Sequence, residues 1–241
     1  MLWDRHDLER YERWLASSQG AYALARECRL LEWLTAAWPR RGRSLLEVGC
    51  GPGFFLDFFH RAGFDVTGLD KSPVMIEAAR QRLGERAECN LGDAHHLPYE
   101  TDQFDYVALL TLLEFVEDPR RVLMEAARVA RRAVLVGYLN RFSLYRLASK
   151  NHALLGQAKW FTPWSMRSLT RSSVGLAPVH EGSVLPGPPW TWNEGFPFWG
   201  LGSLVLPVPV GAYCAFAVDL TTEPPLTPLA ARAFAQPTKS F

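Results

Sequence analysis

Three glycines stand on alternate positions, Gly49, Gly51 and Gly53, between a short apolar run and an apolar helical pattern. Glycine adopts positive φ at little steric cost, and without a Cβ it lets a flat ligand lie against the main chain. A second apolar run ends in Asp70, 21 positions after Gly49. A carboxylate at that spacing can accept hydrogen bonds from a ribose diol. The pattern therefore predicts a site for a ribose-bearing ligand.

The elements that must position these residues alternate between strand and helix. Short apolar runs predict seven strands, over 44–49, 65–70, 87–90, 104–111, 133–138, 176–181 and 212–220. Apolar periodicity and capping signals predict helices over 3–38, 54–62 and 72–83, and two more that start at 118–119 and 162–163. This alternation predicts an α/β fold, a doubly wound and mostly parallel seven-stranded sheet with helices on both faces. We expect the last strand to run antiparallel.

The bulk composition excludes several classes of protein. The 26 basic and 25 acidic residues give a net charge of +1, which provides no basis for binding nucleic acid. The four cysteines form no CxxC pair, a pattern typical of a reducing cytoplasm rather than of a disulfide scaffold or a zinc site. No stretch has the length and apolarity of a membrane span, and the charged N-terminus has no signal-peptide core. We expect a cytoplasmic protein, monomer or homodimer, that acts on a small molecule.

Four motifs in order resemble those of class I methyltransferases, the Rossmann-like enzymes that use S-adenosylmethionine. Residues 47–53, Glu-Val-Gly-Cys-Gly-Pro-Gly, are similar to the family's glycine signature. Residues 68–72, Gly-Leu-Asp-Lys-Ser, resemble its second-strand acidic motif. Residues 92–98 resemble its G-D-A-x-x-L-P segment, and residues 104–107 its fourth strand. The glycine motif alone would be weak, but four motifs at the right spacing are specific.

The resemblance implies methyl transfer from S-adenosylmethionine to a small molecule, with S-adenosylhomocysteine as product, and the aromatic insertions of this chain favour a hydrophobic or aromatic acceptor. It implies that Glu47 orders the loop and the amino end of the methionine, and that Asp93 and Ala94 contact the adenine. The predicted cofactor-binding residues are Trp14, Tyr22, Glu47, Gly49, Cys50, Gly51, Gly53, Asp70, Lys71, Met75, Asp93, Ala94, His95, Leu110 and Thr111. A single domain over 1–241 is expected, with a helical cap at 1–40, a cofactor-binding core at 43–140, substrate-side insertions at 139–161 and 183–211, and a tail at 222–241.

The methyl acceptor is expected to lie under the aromatic insertions. Trp190, Trp192, Phe196, Phe198 and Trp199 fall within ten positions among prolines and glycines. Such a segment forms either a lid over the acceptor or a satellite core beneath a long loop. The predicted substrate-binding residues are Arg141, Tyr145, Trp192 and Trp199, with Arg146 as a further polar contact at the rim.

No catalytic residue is assigned from the sequence. Related families often carry a histidine near the position of Glu114 and Phe115, and this chain has none there. In-line methyl transfer can depend on positioning and exclusion of water, so an acid–base pair is not required. His95 and His96 are adjacent and lack an evident third ligand, so we predict no metal site.

Two other functions are compatible with the same fold. A nicotinamide-dependent oxidoreductase would need the spacing G-x-G-x-x-G, but here the third glycine comes one residue early and Phe54 takes the sixth place. A non-catalytic module could keep the cofactor fold without turnover. The complete set of glycines, Asp70 and Asp93 favours the enzyme.

Overall fold

A computed structural model describes residues 3–148, 158–175, 180–193 and 204–221. Its seven strands are β1 Ser44–Val48, β2 Asp65–Asp70, β3 Ala87–Leu91, β4 Phe104–Leu110, β5 Ala130–Leu139, β6 His180–Val184 and β7 Tyr213–Asp219. Its helices are α1 Arg5–Leu15, α2 Ser18–Leu34, α3 Phe54–Arg61, α4 Pro73–Leu83, α5 Pro119–Val129, α6 Leu144–Ala148 and α7 Pro163–Val174. Short 3₁₀ turns lie at Gly84–Arg86 and Pro189–Thr191.

The strands form one sheet in the order β3-β2-β1-β4-β5-β7-β6. The first five strands run parallel, and β7 pairs antiparallel with both β5 and β6. The predicted doubly wound sheet with an antiparallel last strand is confirmed. The chain crosses over between β1 and β4, which opens a crevice at the carboxyl ends of the central strands. That crevice is where an open α/β sheet binds its ligands.

Side-chain caps explain where the main helices begin. Ser72 accepts a hydrogen bond from the Met75 amide at 3.3 Å, and Pro73 occupies the first turn of α4. Thr162 forms a capping box with Ser165 at the start of α7. Asp118 caps α5 through the Arg121 amide at 3.1 Å. These local signals place α4, α5 and α7 where the sequence predicts them.

The N-terminal region corrects one expectation. The sequence predicts one helical run over 3–38, but the structure has two helices, because α1 ends at Leu15 and Ser17 caps a new helix, α2, through the Gly20 amide at 3.1 Å. A Cβ on Gly20 would lie 2.0 Å from the Trp14 carbonyl oxygen. The glycine therefore allows the two helices to meet at close range.

Two other boundaries differ from the sequence prediction. The strand predicted over 176–181 overlaps β6 only from His180, and residues 176–179 lie outside the described part of the chain. The stretch 183–211 is not wholly irregular, since Ser183 belongs to β6 and bridges to Leu206. Residues 149–157, 194–203 and the tail from 222 also lie outside the described residues.

The two faces of the sheet carry separate cores. One face packs against α2, α3 and α4 and includes the fully buried Leu30, Leu56 and Phe59. The other packs against α5 and α7 and includes Leu123, Val129 and Met166. Helices on both faces leave the carboxyl edge of the sheet as the open side on which a ligand can bind. Of the helices that the structure describes, none has both the length and the apolarity needed to cross a membrane.

Candidate active site

A cavity of about 530 Å³ lies at the carboxyl edge of the sheet. This volume falls within the range of small-molecule sites. Its walls come from the loop after β1, the ends of β2 to β5, the start of β7, and the helices α1 and α2. The topology thus gathers distant segments of sequence around one space.

Asp70 at the end of β2 is tied to the glycine loop. Its Oδ2 accepts a hydrogen bond from the Gly51 amide at 2.9 Å, and its Oδ1 accepts one from the Ser72 amide at 2.8 Å. Burial raises the pKa of Asp70, and hydrogen bonds from Ser72 and Gly51 oppose that rise. A carboxylate offers about four acceptor sites, so the two bonds leave capacity for two more donors.

Asp93, after β3, is held as an anion. It accepts hydrogen bonds from the His95 amide at 2.9 Å, from the His95 ring Nδ1 at 2.7 Å, and from Lys71 Nζ at 3.0 Å. The backbone hydrogen bond from His95, then the side-chain bonds from His95 and Lys71, hold the pKa of Asp93 well below its ordinary value. Lys71 and Asp93 thereby connect the ends of β2 and β3.

Glu47 lies inside β1, two residues before the first glycine, and is 1% exposed. Its Oε2 is buried and has no hydrogen-bond partner among the described residues, although the side chain lines the cavity. Burial, then the nearby Asp70 charge, raises the pKa of Glu47 well above its ordinary value. A buried carboxylate without a donor costs free energy, so this atom indicates a ligand that supplies one.

The glycines of the loop have different roles. Gly51 has φ of 52°, and a Cβ there would meet no atom within 4 Å, so the loop presents open backbone to the cavity. Gly53 was predicted to bind cofactor, but it does not line the cavity. Its Cβ would lie 2.8 Å from Leu83 and 3.3 Å from Ala79, so it permits close packing of α3 on α4.

Backbone strain also gathers at the cavity. Three non-glycine residues of the described chain have positive φ, and two of them, Thr111 at 50° and Leu185 at 61°, line it. The Thr111 amide donates to the Gly137 carbonyl at 2.9 Å, which fixes the end of β4. Strained backbone of this kind concentrates at functional sites.

Aromatic side chains from the N-terminus cover part of the cavity. The Trp3 ring makes edge-to-face contacts with Tyr11 at 6.1 Å and Phe115 at 5.5 Å between centroids. Tyr11 stacks on Trp14 at 6.2 Å, and the Trp3 carbonyl accepts from Ser72 Oγ at 2.7 Å. The N-terminal segment is therefore anchored against β2 and β4 by specific contacts.

A second group of aromatic side chains lines the cavity beside β5 and β7. Tyr145 of α6 and Trp192 pack with 4.8 Å between ring centroids. Trp192 is 3% exposed and donates its Nε1–H to the Gly187 carbonyl at 3.0 Å. Trp192 belongs to the hydrophobic core and also forms part of the cavity wall. The two roles considered for this segment, a lid over the acceptor and a satellite core, are therefore not exclusive at Trp192.

Most of the predicted site residues meet at this cavity. Those that line it are Trp14, Glu47, Gly49, Cys50, Gly51, Asp70, Lys71, Met75, Asp93, Ala94, His95, Leu110, Thr111, Tyr145 and Trp192. Tyr22 lies in the core instead, with Arg26 over its ring at 4.8 Å. Arg141 is exposed and outside the wall, and Trp199 lies outside the described residues. Arg146 packs over Trp160 at 5.2 Å rather than lining the cavity.

Several residues of the cavity wall are not among those predicted from the sequence. They include Trp3, Tyr11, Glu27, Phe115 and Tyr213. For Trp3, Tyr11 and Phe115 the position depends on how α1 docks, which no local motif specifies. Glu27 does carry a signal, since it is an acidic residue at helical spacing from Ala23 and Leu31, both buried.

His95 and His96 act within a hydrogen-bond network. The Asp118 amide donates to His95 Nε2 at 3.4 Å, and Arg121 contacts the ring of His96 and donates to the His95 carbonyl at 2.9 Å. Across the residues described, no group of three or more His, Cys, Asp or Glu could hold a metal ion.

Comparisons with known proteins agree with this geometry. Residues 46–136 match a family model described as a methyltransferase domain. The chain is 37% identical over 158 residues to the phosphatidylethanolamine N-methyltransferase of Cereibacter sphaeroides, which covers 61% of this chain and 76% of that protein. It is 33% identical over 92 residues to the ubiquinone biosynthesis O-methyltransferase of Coxiella burnetii, covering 36% and 38%.

Coverage of the relatives is uneven. A 37.1 kDa protein of transposon TN4556 from Streptomyces fradiae is 40% identical over 103 residues, which is 41% of this chain and 30% of that one. The chain thus matches less than half the length of the Coxiella and Streptomyces relatives.

Solved structures share the fold over nearly the whole chain. A possible histamine N-methyltransferase from Thermotoga maritima aligns with a TM-score of 0.71 at 23% identity, covering 89% of this chain and 96% of that one. The magnesium protoporphyrin IX methyltransferase of Synechocystis with bound S-adenosylhomocysteine aligns with a TM-score of 0.66 at 15% identity, covering 89% and 94%. At these identities the likeness shows the fold alone. Together with the matched domain and the Cereibacter relative, it establishes that the chain belongs to the S-adenosylmethionine-dependent methyltransferases of class I fold.

Proposed function

We propose that this protein transfers a methyl group from S-adenosylmethionine to a small, hydrophobic or aromatic molecule. The observation that carries the proposal is the buried, unpartnered Oε2 of Glu47 in the cavity wall. S-adenosylmethionine carries an ammonium group that would supply the missing donor. Because an ammonium favours the charged carboxylate, its binding would offset the burial that raises the pKa of Glu47.

The other cofactor contacts follow from the same arrangement. The remaining acceptor sites of Asp70 suit the two ribose hydroxyls, which donate in a bidentate fashion. Asp93 is held ionised by Lys71 and His95, and so offers an acceptor to the exocyclic amine of adenine. Gly51 leaves the backbone open between these groups. The residues present therefore fit the cofactor along its whole length.

When bound, S-adenosylmethionine supplies a methyl group on a sulfonium, which is already a good leaving group. The work left to the protein is to hold the acceptor in line with the methyl group and to exclude water. Trp3, Tyr11 and Phe115 close one side of the cavity, while Tyr145 and Trp192 close the side beside β5 and β7. These apolar walls support a hydrophobic or aromatic acceptor.

Binding of two ligands that both contain adenosine tests the proposal. Titration calorimetry should show saturable binding of S-adenosylhomocysteine and none of NADH, since the glycine spacing does not suit a pyrophosphate at the start of α3. Glu47→Gln keeps the size of the side chain but removes its charge, and should weaken S-adenosylhomocysteine binding by about 1–3 kcal/mol. Binding of NADH without S-adenosylhomocysteine would contradict the proposal.

A further inference from the structure

A carboxylate occupies the apolar face of α2. Ala23, Leu30, Leu31 and Leu34 form the buried face of this helix, and Glu27 lies at the matching position one turn after Ala23. Glu27 is partly buried and lines the cavity. Charged residues are uncommon on such a face unless they are paired. Its position therefore indicates a role toward what the cavity holds.

Glu27 has no protein partner for its charge. Its side chain makes no hydrogen bond or ion pair with any residue in the described part of the chain. The titratable groups that interact with it are Tyr11 of α1, Cys28 of α2 and Tyr213 of β7. Burial alone raises the pKa of Glu27 to about 8. A carboxyl group in this state gains most from a ligand that brings a positive charge.

Tyr213 lines the same cavity and carries a second unpartnered polar atom. It is fully buried, and its hydroxyl has no hydrogen-bond partner within the described ranges. Gly137 on the adjacent β5 makes room for it, since a Cβ there would lie 2.0 Å from the Tyr213 oxygen. The sheet therefore makes room for this hydroxyl beside β5, and a hydroxyl can donate to or accept from a ligand.

Aromatic side chains line the part of the cavity that we call the β5–β7 end and define by Glu27, Tyr145, Trp192 and Tyr213. Tyr145 and Trp192 pack together here at 4.8 Å. The basic side chains that line the cavity, Lys71, His95, His96 and Arg121, follow β2 or β3 or belong to α5, away from β5 and β7 in the strand order. Aromatic faces attract cations, and an ammonium near them gains further when water is excluded.

From this arrangement we propose that the β5–β7 end binds an amine as the methyl acceptor, with Glu27 as counter-charge and Tyr213 as hydrogen-bond partner. The inference rests on the proposed function, since it names the class of acceptor for that site. An acceptor that arrives as an ammonium must first lose a proton, which passes to the Glu27 carboxylate and then to solvent. The nitrogen lone pair then forms the bond to the methyl carbon as the carbon–sulfur bond breaks and its electron pair goes to sulfur.

Other acceptors fit the β5–β7 end less well. An anionic acceptor such as a carboxylate or phenolate would meet Glu27 at an end of the cavity where no basic side chain lines the wall among the described residues. A neutral alcohol would bring no positive charge, so the Glu27 carboxyl group would stay protonated and would make no charge-assisted contact with it. The amine supplies what both alternatives lack.

Three probes of similar size separate these cases: benzylamine, benzyl alcohol and benzoate. Ligand-observed NMR would measure their dissociation constants with wild-type protein, with and without S-adenosylhomocysteine. We expect benzylamine to bind about tenfold or more tightly than either other probe, the scale of one charge-assisted contact. Glu27→Gln should remove that preference. Glu32→Gln, on the exposed face of the same helix, is the control and should keep it.

Two further measurements separate a specific effect on the acceptor from a general effect on the fold. Glu27→Gln should still bind S-adenosylhomocysteine, which shows that the fold and the cofactor end are intact, and Tyr213→Phe should weaken benzylamine in the same direction. Equal binding of amine and alcohol, preference for benzoate, no measurable binding of benzylamine, or an amine preference that survives in Glu27→Gln would overturn the inference. Failure to bind S-adenosylhomocysteine would instead overturn the proposed function, because the probes are also measured without it.

Discussion

The Oδ2 of Asp70 accepts a hydrogen bond from the Gly51 amide at 2.9 Å, so the acid at the end of β2 holds the glycine loop that follows β1. The same carboxylate is the one proposed to receive the ribose. The shape of the loop and the strength of the cofactor contact are therefore coupled through one side chain. Some substitutions in the loop should therefore mainly lower the stability of the fold, and others should mainly weaken cofactor binding.

Gly51→Ala should weaken cofactor binding more than it weakens the fold. Both Gly51 and Gly42 have positive φ, and a Cβ at either meets no protein atom within 4 Å. Alanine at each should therefore cost about 1–2 kcal/mol of folding free energy from the backbone alone. Only Gly51 lines the cavity, so only its variant should also lose affinity for S-adenosylhomocysteine in calorimetry. Equal affinities of the two variants would show that the ligand does not lie against Gly51.

Gly53→Ala should weaken the fold more than it weakens cofactor binding. Its Cβ would meet Leu83 at 2.8 Å as well as face an unfavourable φ of 81°. Thermal unfolding should show a larger loss of stability than in Gly42→Ala, because overpacking adds about 1–3 kcal/mol to the backbone cost. A melting temperature equal to that of Gly42→Ala would mean that α3 and α4 adjust without strain.

Trp192→Ala should destabilise the fold. Trp192 is 3% exposed and packs on Tyr145, so its truncation should cost about 3–5 kcal/mol in denaturant unfolding. Trp190 is 68% exposed and two residues away, and Trp190→Ala should change the free energy of unfolding by less than about 0.5 kcal/mol. Similar effects of the two substitutions would contradict the burial of Trp192.

Glu114 should make stability depend on pH. Burial raises its pKa to about 7, although its Oε1 accepts from the Leu139 amide at 2.6 Å, and its Oε2 has no partner among the described residues. The folded state then binds more protons than the unfolded state between the ordinary pKa of 4.5 and about 7, so stability falls as pH rises through this window. Above it the loss stays constant.

Glu114→Gln isolates this contribution. The amide oxygen can still accept from Leu139, and the variant has no charge to bury. Denaturant unfolding at a series of pH values should show the variant gaining about 1–3 kcal/mol over wild type as pH rises from below 5 to above 7. A difference between the two proteins that does not change with pH would contradict the raised pKa.

The cofactor half of the site could be predicted because its signals are local. The glycines and Asp93 lie in the turns that follow β1 and β3, Asp70 ends β2, and parallel strands bring their carboxyl ends to one edge. The sequence also contains a signal for the break between α1 and α2, because Ser17 is a good capping residue within a polar stretch. The helical periodicity on both sides nevertheless favours one continuous helix. Elements whose boundaries are set by caps and apolar runs are thus readable from sequence.

The acceptor half could not be read in the same way. Trp3 and Tyr11 reach the cavity only because α1 docks against the carboxyl edge, and Tyr213 points inward only because Gly137 leaves space on the neighbouring strand. From the sequence, Tyr22 and Trp14 are equally good candidates for a cofactor contact. In the structure, Tyr22 lies on the buried face of α2 and packs into the core. These placements depend on tertiary packing rather than on local pattern.

The most direct test of the account is calorimetric titration of S-adenosylhomocysteine into wild type, Asp70→Ala and the control Asp65→Ala. Asp65 begins the same strand as Asp70, but it is exposed and lies at the end of the sheet away from the cavity. We expect wild type and Asp65→Ala to bind S-adenosylhomocysteine equally, while Asp70→Ala binds it about 1–3 kcal/mol more weakly and still unfolds cooperatively. Unchanged affinity in Asp70→Ala, or no binding to wild type, would contradict it.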